Sequence, residues 1–230
     1  MVTYFCFNFS TYLAKHPLTM ATTKKTPPVA TRNRERSKQK LLRAVGKIIK
    51  TGGFSTLGIN RVAEVAGMDK KMIYNYFGSL NGLLDEYISS LDFWSNVKGD
   101  KLPTEFPNGG HNFVKQMILA QFDYVHQNPE FQKILLWRLS EERDALKTLT
   151  ARQEANGEVL LQGITDPHFG DNAEAYRAVM AVIIAGTYYL NLFAELNGST
   201  FCGIDLATTG GRKKIEEALA FLIDKTYEGL

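Results

Sequence analysis

Apolar residues recur at helical spacing near the start of the chain and predict a basic amphipathic helix over residues 34–50. Its apolar positions include Leu41, Val45 and Ile49, while lysines and arginines fill the other faces. Gly52 follows the last of these positions, and glycine is the usual residue at the C-terminal end of a helix. The pattern therefore predicts that the helix stops there.

Two shorter helices follow, and a tight turn separates them. The first is predicted over 59–66 and ends at Gly67. The second is predicted over 70–77, where the Asp69 carboxylate can accept hydrogen bonds from the first-turn N–H groups. Three short helices, the last two joined by a glycine turn, match the helix-turn-helix arrangement, whose last helix enters the major groove of DNA.

The remaining chain continues with helical patterns and almost no two-residue alternation, so no sheet is predicted. Loops are predicted at 96–110 and 163–171, which contain prolines and glycines. Further helices are predicted at 79–94, 111–127, 130–140, 141–161, 172–197 and 212–228. The predicted fold class is all-α, with an N-terminal three-helix helix-turn-helix domain and a C-terminal helical bundle.

The domain boundaries follow from these patterns. We expect residues 1–31 to be a disordered or non-native extension, residues 32–80 to form the helix-turn-helix domain and residues 81–230 to form the helical bundle. Met20 begins a polar stretch that is typical of disordered starts. Translation from Met1 and translation from Met20 are both compatible with this sequence.

Charge divides the chain into two opposite parts. The whole sequence carries 27 Lys and Arg against 24 Asp and Glu, a net charge of +3. Residues 32–81 hold eleven basic against three acidic residues, which gives +8, whereas residues 82–230 hold thirteen against twenty-one, which gives −8. Clustered basic residues attract phosphate and release counterions on binding. The charge therefore favours DNA as a partner, although a charge run alone is as often a solvated face.

Composition argues against several other classes of protein. Cys6 and Cys202 lie nearly a chain length apart, which excludes a disulfide framework and fits a reducing, cytoplasmic compartment. The four histidines show no metal-ligand spacing, so neither a metal nor another cofactor is predicted. The uncharged run 178–194 is at the short limit for a membrane span and contains polar residues, so we predict a buried helix and no membrane partner.

One stretch of the chain resembles a known family. The residues that carry the resemblance are Gly53-Phe54, the run Val62-Ala63-Glu64-Val65-Ala66-Gly67, the run Ile73-Tyr74-Asn75-Tyr76-Phe77, and Leu83-Leu84. Together they resemble the DNA-binding domain of TetR-type transcriptional regulators, over roughly residues 36–87. The rest of the chain is similar to the family only in length and helicity.

The resemblance implies a sequence-specific DNA-binding transcriptional regulator, most often a repressor, that binds double-stranded operator DNA as a homodimer. It makes 70–77 the recognition helix. The implied DNA-contacting residues are Arg61, Lys70, Lys71, Met72, Tyr74, Asn75 and Tyr76. Asparagine can read adenine, lysine can reach guanine and methionine can meet a thymine methyl. Ile73 and Phe77 are expected in the core; a core position for either tyrosine and a solvated Arg61 are the alternatives.

The sequence departs from the family pattern at three positions. Lys71 stands where relatives commonly have glycine, and Gly58 stands where they have a serine or threonine that caps the second helix. Leu80 replaces a lysine that relatives use at the start of the fourth helix. These departures bear on which bases are read, because Lys70, Lys71 and the basic first helix still attract DNA.

The resemblance also places dimerisation on the last two helices, 172–197 and 212–228. Small residues there allow close approach of helices, and apolar residues supply contact area. The predicted interface residues are Ala178, Ala181, Ala185, Ala218, Phe221 and Leu222. Core packing within one chain is the alternative for this stripe.

A small-molecule inducer is expected to bind between the helices of 81–230, in a mostly apolar pocket with a few polar groups. The candidate walls are Trp94, Phe122, Trp137 and Tyr188, and the candidate polar contacts are Gln121, His126 and Asn191. Each of these residues is also compatible with ordinary core packing.

The sequence also bears on two other functional classes. An enzyme is not predicted, because the sequence has neither a strand-preceded glycine-rich phosphate loop nor a Gly-x-Ser-x-Gly motif. An architectural DNA-binding protein without a ligand sensor is the alternative function. A filled C-terminal core with no cavity would favour it.

Overall fold

The computed structural model describes residues 29–91, 105–196 and 198–230. Among these residues, those before Ser37 and those from Ser37 onward belong to separate compact units. Only the last three residues of the expected N-terminal extension are described, and they belong to the first helix. The predicted boundary between residues 80 and 81 stays a prediction.

The described elements are almost all helical, which confirms the all-α prediction. The helices are α1 Val29–Gly52, α2 Ile59–Ala66, α3 Lys71–Phe77, α4 Leu80–Leu91, α5 Pro107–Gln127, α6 Pro129–Ser140, α7 Asp144–Leu160, α8 Asp166–Phe169, α9 Ala173–Leu196 and α10 Thr209–Gly229. The shorter elements are 3-10 turns at Phe54–Thr56 and Gly170–Asn172, a π-helical turn at Leu161–Thr165, and an antiparallel hairpin of β1 Thr200–Phe201 and β2 Ile204–Asp205.

The first core forms around α1. Leu41, Val45 and Ile49 on its apolar face are fully buried, as the helical spacing predicts. Gly53 ends the helix with a positive φ of 70°, a conformation that costs glycine little. The same core includes buried residues of α2, α3 and α4 together with residues of α6 and α7.

The contribution of α6 to this core centres on Trp137. Its indole stacks on Phe54 with ring centroids 4.1 Å apart, and its Nε1–H donates to a Glu141 carboxylate oxygen 3.0 Å away. The Arg143 guanidinium lies 5.0 Å from the centre of the same ring. Trp137 is therefore a structural anchor between α6 and the segment that leads into α2.

A second core lies among α5, α9 and α10. It contains Phe122 of α5, Tyr176 and Ile183 of α9, and Ile223 of α10. Thr208 caps α10 by accepting a hydrogen bond from the Gly211 N–H at 3.0 Å. These three long helices give the C-terminal region its frame.

Of the two predicted loops, one needs correction. The predicted loop 163–171 contains the end of the π-helical turn, the short helix α8 and a 3-10 turn. The part of the predicted loop 96–110 that precedes residue 105 lies outside the described residues. From residue 108 to residue 110 the backbone is left-handed, and the regular helix starts at His111 as predicted.

Candidate nucleic-acid interface and ligand cavity

The α2–α3 turn is built by local interactions that the sequence predicts. Gly67 is left-handed, at φ 62° and ψ 41°, and the Met68 N–H donates to the Ala63 carbonyl 3.0 Å away. The Asp69 carboxylate accepts a hydrogen bond from the Lys71 N–H at 2.7 Å. This bond satisfies a first-turn donor of α3 and fixes the angle at which α3 leaves the turn.

Helix α3 is anchored on one side and open on the other. Ile73 is fully buried in the first core, and Phe77 packs against the same core. Lys71, Tyr74 and Asn75 are exposed on the other side, with Tyr74 53 % accessible. A side chain on this outer face can therefore contact another molecule without disturbing the anchor.

The remaining predicted DNA contacts differ in their surroundings. Lys70 is exposed beside the start of α3. Arg61 is exposed on α2 and pairs with Glu64, with 3.0 Å between its Nη1 and a carboxylate oxygen. Met72 and Tyr76 are half-buried and pack against the first core. Their contact with DNA stays a prediction.

Basic residues on α1 fall into two groups. Lys38 bonds to Glu86 of α4 at 2.9 Å, and Lys50 pairs with Glu130 of α6. Lys40, Arg43 and Lys47 are exposed. The first group holds helices together, while the second adds positive charge to the protein surface.

A cavity of about 540 Å³ lies among α5, α7, the π-helical turn and α9, with Arg138 of α6 at its wall. This volume falls in the range of small-molecule sites. Most of its lining is apolar: Phe113, Val114, Met117, Ile118, Leu160, Leu161, Ile164, Met180, Ala181, Ile184 and Ala185. The C-terminal core is therefore not filled.

Arg177 closes one side of this cavity. Its guanidinium bonds to both Glu158 carboxylate oxygens, at 2.7 and 2.9 Å, and to both Asp166 oxygens, at 3.1 and 2.6 Å. Hydrogen bonds from Arg177 lower the pKa of the Glu158 carboxyl. The three side chains join α7, α8 and α9 into one wall.

Of the candidate ligand residues, Tyr188 alone lines the cavity among those that the structure describes. Gln121 is fully buried behind it and donates from Nε2 to the Tyr188 hydroxyl at 2.5 Å. Trp137 belongs to the first core, His126 is exposed, and Trp94 lies outside the described residues. Sequence periodicity indicates that an aromatic side chain is buried but not which space it faces.

Phe122 and Asn191 take part in a buried network around Arg212, a residue that the sequence reasoning missed. The Arg212 guanidinium lies 4.2 Å from the centre of the Phe122 ring and donates from Nη1 to Asn191 Oδ1 at 3.0 Å. Asn191 Nδ2 donates to the Phe122 carbonyl at 3.1 Å. The network ties α5, α9 and α10 together. An arginine at the start of an otherwise amphipathic helix gives no local sign of this role.

The predicted dimer residues are all exposed in the single chain, and Phe221 is 58 % accessible. Ala181 and Ala185 also line the cavity. Next to them on α9, Val182 and Tyr189 form an exposed apolar strip. Within the described chain, Asp144–Leu196 contains a window long and apolar enough to cross a membrane, and 28 % of that window is buried. The predicted burial of this helix is therefore incomplete in one chain.

The described residues offer little for metal chemistry. In residues 29–91, 105–196 and 198–230, no group of three or more His, Cys, Asp or Glu side chains is placed to hold a metal ion. Cys202 is a free, exposed thiol at the hairpin.

Comparisons with known proteins identify the fold. No family model matches the chain, and no curated protein is significantly similar to it in sequence. Two crystal structures of NalD, the secondary repressor of the MexAB-OprM multidrug efflux pump in Pseudomonas aeruginosa, match with TM-scores of 0.56 and 0.59 at 16 % identity, over 84 % of this chain and 96 % of NalD. A TetR family transcription regulator from Marinobacter aquaeolei VT8 matches with a TM-score of 0.53 at 18 % identity, over 84 % of this chain and 97 % of that chain. The chain thus has the fold of TetR-family regulators, as the sequence motif predicts.

Proposed function

We propose that this protein is a sequence-specific DNA-binding transcriptional regulator that acts as a homodimer and responds to a small molecule. The observation that carries the proposal is α3, a helix anchored by buried Ile73 that exposes Lys71, Tyr74 and Asn75. A short helix presented in this way after a glycine turn has the form of a recognition helix. Because NalD is a repressor, we infer that binding represses transcription, in the cytoplasm.

In this proposal different residues of α3 and its surroundings contact the bases and the sugar-phosphate backbone. Asn75 reads a base edge, and Lys70 and Lys71 reach phosphate or guanine acceptors. Tyr74 contacts the sugar-phosphate backbone, and Met72 and Tyr76 contribute from their exposed edges. Arg61 binds a phosphate after leaving Glu64, an exchange that costs little because the pair is exposed.

The homodimer is supported by the exposed apolar faces of the last two long helices. Val182 and Tyr189 on α9 and Phe221 and Leu222 on α10 are all exposed in one chain. Exposed apolar surface of this kind marks an interaction site. A two-fold dimer would place two α3 helices on two half-sites of DNA.

The helix α6 supplies a route from the cavity to the DNA-binding helices. Arg138 of α6 lines the cavity. Lys133 lies five residues before Arg138 in the same helix. Its Nζ donates hydrogen bonds to two carbonyls in the last turn of α1, that of Ile49 at 3.4 Å and that of Lys50 at 3.1 Å. Glu130 pairs with Lys50 and accepts from the Tyr87 hydroxyl of α4 at 2.9 Å. A ligand that displaces α6 would shift both helices, and only a preference of a few kcal/mol for one state is needed.

The cavity weighs against the alternative of an architectural protein without a sensor. Such a protein needs no apolar cavity, whereas this chain has one of about 540 Å³ beside α6. Empty apolar space lowers stability. A cavity of this size therefore favours a ligand-responsive regulator.

The test is binding of the full chain to the DNA that flanks its own coding sequence, measured by fluorescence anisotropy beside a scrambled duplex over a range of salt concentrations. Tighter binding to the flanking DNA, with affinity falling steeply as salt rises, is expected. A selection from a random duplex library finds the site if it lies elsewhere. Recovery of no enriched sequence would contradict the proposal.

Matched lysine variants assign the binding to α3. Lys71→Gln should weaken binding about uniformly across sequences and lower the salt slope by about 1. Lys147→Gln removes an exposed lysine from α7, where it pairs with Glu142, and should leave DNA affinity unchanged. Asn75→Ala should relax preference at one base pair by about 1–3 kcal/mol. Equal effects of the two lysine variants would count against α3 as the recognition helix.

A further inference from the structure

The two arginines that line the cavity differ in how many carboxylate partners they have. Arg177 is saturated, because two carboxylates take hydrogen bonds from Nε, Nη1 and Nη2. A ligand that approached it would have to break ion pairs that join three elements. Arg177 is therefore part of the wall and not a binding group.

Among the described residues, Arg138 is the cavity cation that pairs with no carboxylate. It is half-buried, and its hydrogen bond in the described chain runs from Nη1 to the neutral Gln153 Oε1 at 2.5 Å. No carboxylate of the described residues lies within ion-pair distance of it. A guanidinium has five N–H donors in a fork that matches a carboxylate, so most of its donor capacity remains available.

Two nearby carboxylates are already engaged in ion pairs. Glu141 accepts from Arg143 at 2.8 Å and Glu142 from Lys147 at 3.0 Å, and all four residues line a second hollow together with Arg138. These pairs explain why Arg138 is left without a carboxylate partner. They also leave it as the one cation, among the cavity residues described, that a ligand can neutralise without breaking an ion pair.

We propose that the cavity binds an apolar monoanion, a carboxylic acid whose hydrocarbon or aromatic body lies on the α5, α7 and α9 walls and whose carboxylate pairs with Arg138. The apolar walls, which include Met117 and Met180, bury the body of the ligand. A bidentate pair with a half-buried guanidinium fixes the acid group. Phosphates and other dianions are disfavoured because a single uncompensated cation faces them.

A hydrophobic cation is the competing ligand. Its partner would be Glu154, which lines the cavity but is exposed, so solvent and salt screen its charge. Glu158 is occupied by Arg177 and by Gln162, whose Nε2 donates at 2.6 Å. The monoanion is therefore the better match to this cavity.

Regulation of DNA binding by this ligand rests on the proposed function, whereas binding of the ligand to the cavity does not. A carboxylate at Arg138 would compete with Gln153 for the guanidinium and loosen a bond between α6 and α7. Because α6 also carries Lys133 and Glu130, this is the helix on which a ligand could act at a distance. Binding and DNA release can thus be measured separately.

The test compares three probes of equal chain length by calorimetry on the full chain: decanoate and decyltrimethylammonium below their micelle concentrations, and decanol below its solubility limit. Decanoate should bind at least about tenfold more tightly than the other two. Arg138→Gln should remove that preference and leave decanol affinity unchanged. Arg152→Gln, on α7 and outside the cavity lining, is the matched control and should retain the preference.

Three calorimetric results would overturn the proposal. Equal binding of the three probes, or a preference retained in Arg138→Gln, would exclude Arg138 as the anion site. Tightest binding of the quaternary ammonium would assign the cavity to cations at Glu154. Arg138→Lys, which keeps the charge without the fork, should keep part of the preference and shows that the loss in the glutamine variant is not misfolding. Decanoate that binds through Arg138 without altering DNA affinity would contradict ligand regulation and leave the anion site standing.

Discussion

Gly58 is the N-cap residue of α2, and it has no side chain that could cap the helix. Its backbone is extended, at φ −154° and ψ 155°, and a Cβ there would meet no described atom within 4 Å. We expect Gly58→Ser to raise the free energy of unfolding by about 0.5–1 kcal/mol, because a hydroxyl caps a first-turn N–H and the unfolded chain loses freedom. Urea unfolding measures the change.

Gly58→Ala is the control for this prediction. Alanine adds the same Cβ but no acceptor, and it is a poor N-cap, so it should gain less stability than serine. An alanine variant as stable as the serine variant would mean that the cap contributes nothing.

Single residues of the α2–α3 turn are predictable from sequence because their roles are local. Gly67 at positive φ, Asp69 bonded to the Lys71 N–H, and Ile73 in the core each follow from a few neighbouring positions. The cavity lining has no such local signal. Trp137 has the same helical spacing as a pocket wall would have, but its partner is Phe54, more than eighty positions earlier in the chain.

At the scale of elements, α4 lies directly on the end of α3. A Cβ at Gly82 would stand 2.1 Å from the Phe77 carbonyl oxygen, a separation that no side chain tolerates. Gly82→Ala should therefore destabilise the protein by about 1–3 kcal/mol, as overpacking does. Thermal unfolding followed by circular dichroism measures the loss.

The matched control is Gly157→Ala in α7, where a Cβ would meet no described atom within 4 Å. Alanine in an open helical position should stabilise by about 0.5–1 kcal/mol. If both variants lost stability equally, the close approach of α3 and α4 would not be the cause.

The contact of α6 with α1 and α4 should depend on pH through Glu130. Burial raises the pKa of the Glu130 carboxyl, but hydrogen bonds from Lys50 and Tyr87 outweigh it, so the pKa lies below its ordinary value of 4.5. A depressed pKa contributes stability that is present above the ordinary value and is lost as pH falls through the folded one. Acidification below about pH 4.5 should therefore weaken this contact.

Glu130→Gln isolates that contribution. The variant should be less stable than the parent by up to about 1 kcal/mol at pH 6, and the difference should shrink as pH falls below 4. The measurement is the urea unfolding midpoint of both proteins, at pH 6 and again below pH 4. A difference that stays constant with pH would assign the effect to packing and not to the charge.

Helices are predictable at this scale, and short elements are not. The sequence predicts both ends of α2 correctly, because the helical spacing of its apolar residues stops where Gly67 follows. It misses α8, because Pro167 and Gly170 look like breakers, yet proline is tolerated in the first turn of a helix and glycine ends one. It also misses the β1–β2 hairpin, whose two-residue strands are too short to show alternation.

At the scale of the whole molecule, two valines of similar exposure test where the proposed dimer interface lies. Val182 on α9 is 74 % accessible and Val159 on α7 is 70 % accessible. Val182→Glu should shift the protein to monomers and weaken operator binding, because a charge in an apolar interface is not compensated. Val159→Glu should remain dimeric. Sedimentation at several concentrations checks both, and monomers from the second variant alone would place the interface on α7.

The π-helical turn Leu161–Thr165 forms part of the cavity wall. Such a turn arises when one residue is inserted into an α-helix, and it is frequent at functional sites. Removing Gly163, which is exposed and has no described atom near its Cβ position, would restore the regular ladder and rotate Asp166 away from Arg177. The dimensions of the cavity are thus adjustable by insertions and deletions of one codon, without any change in the residues that we propose contact DNA.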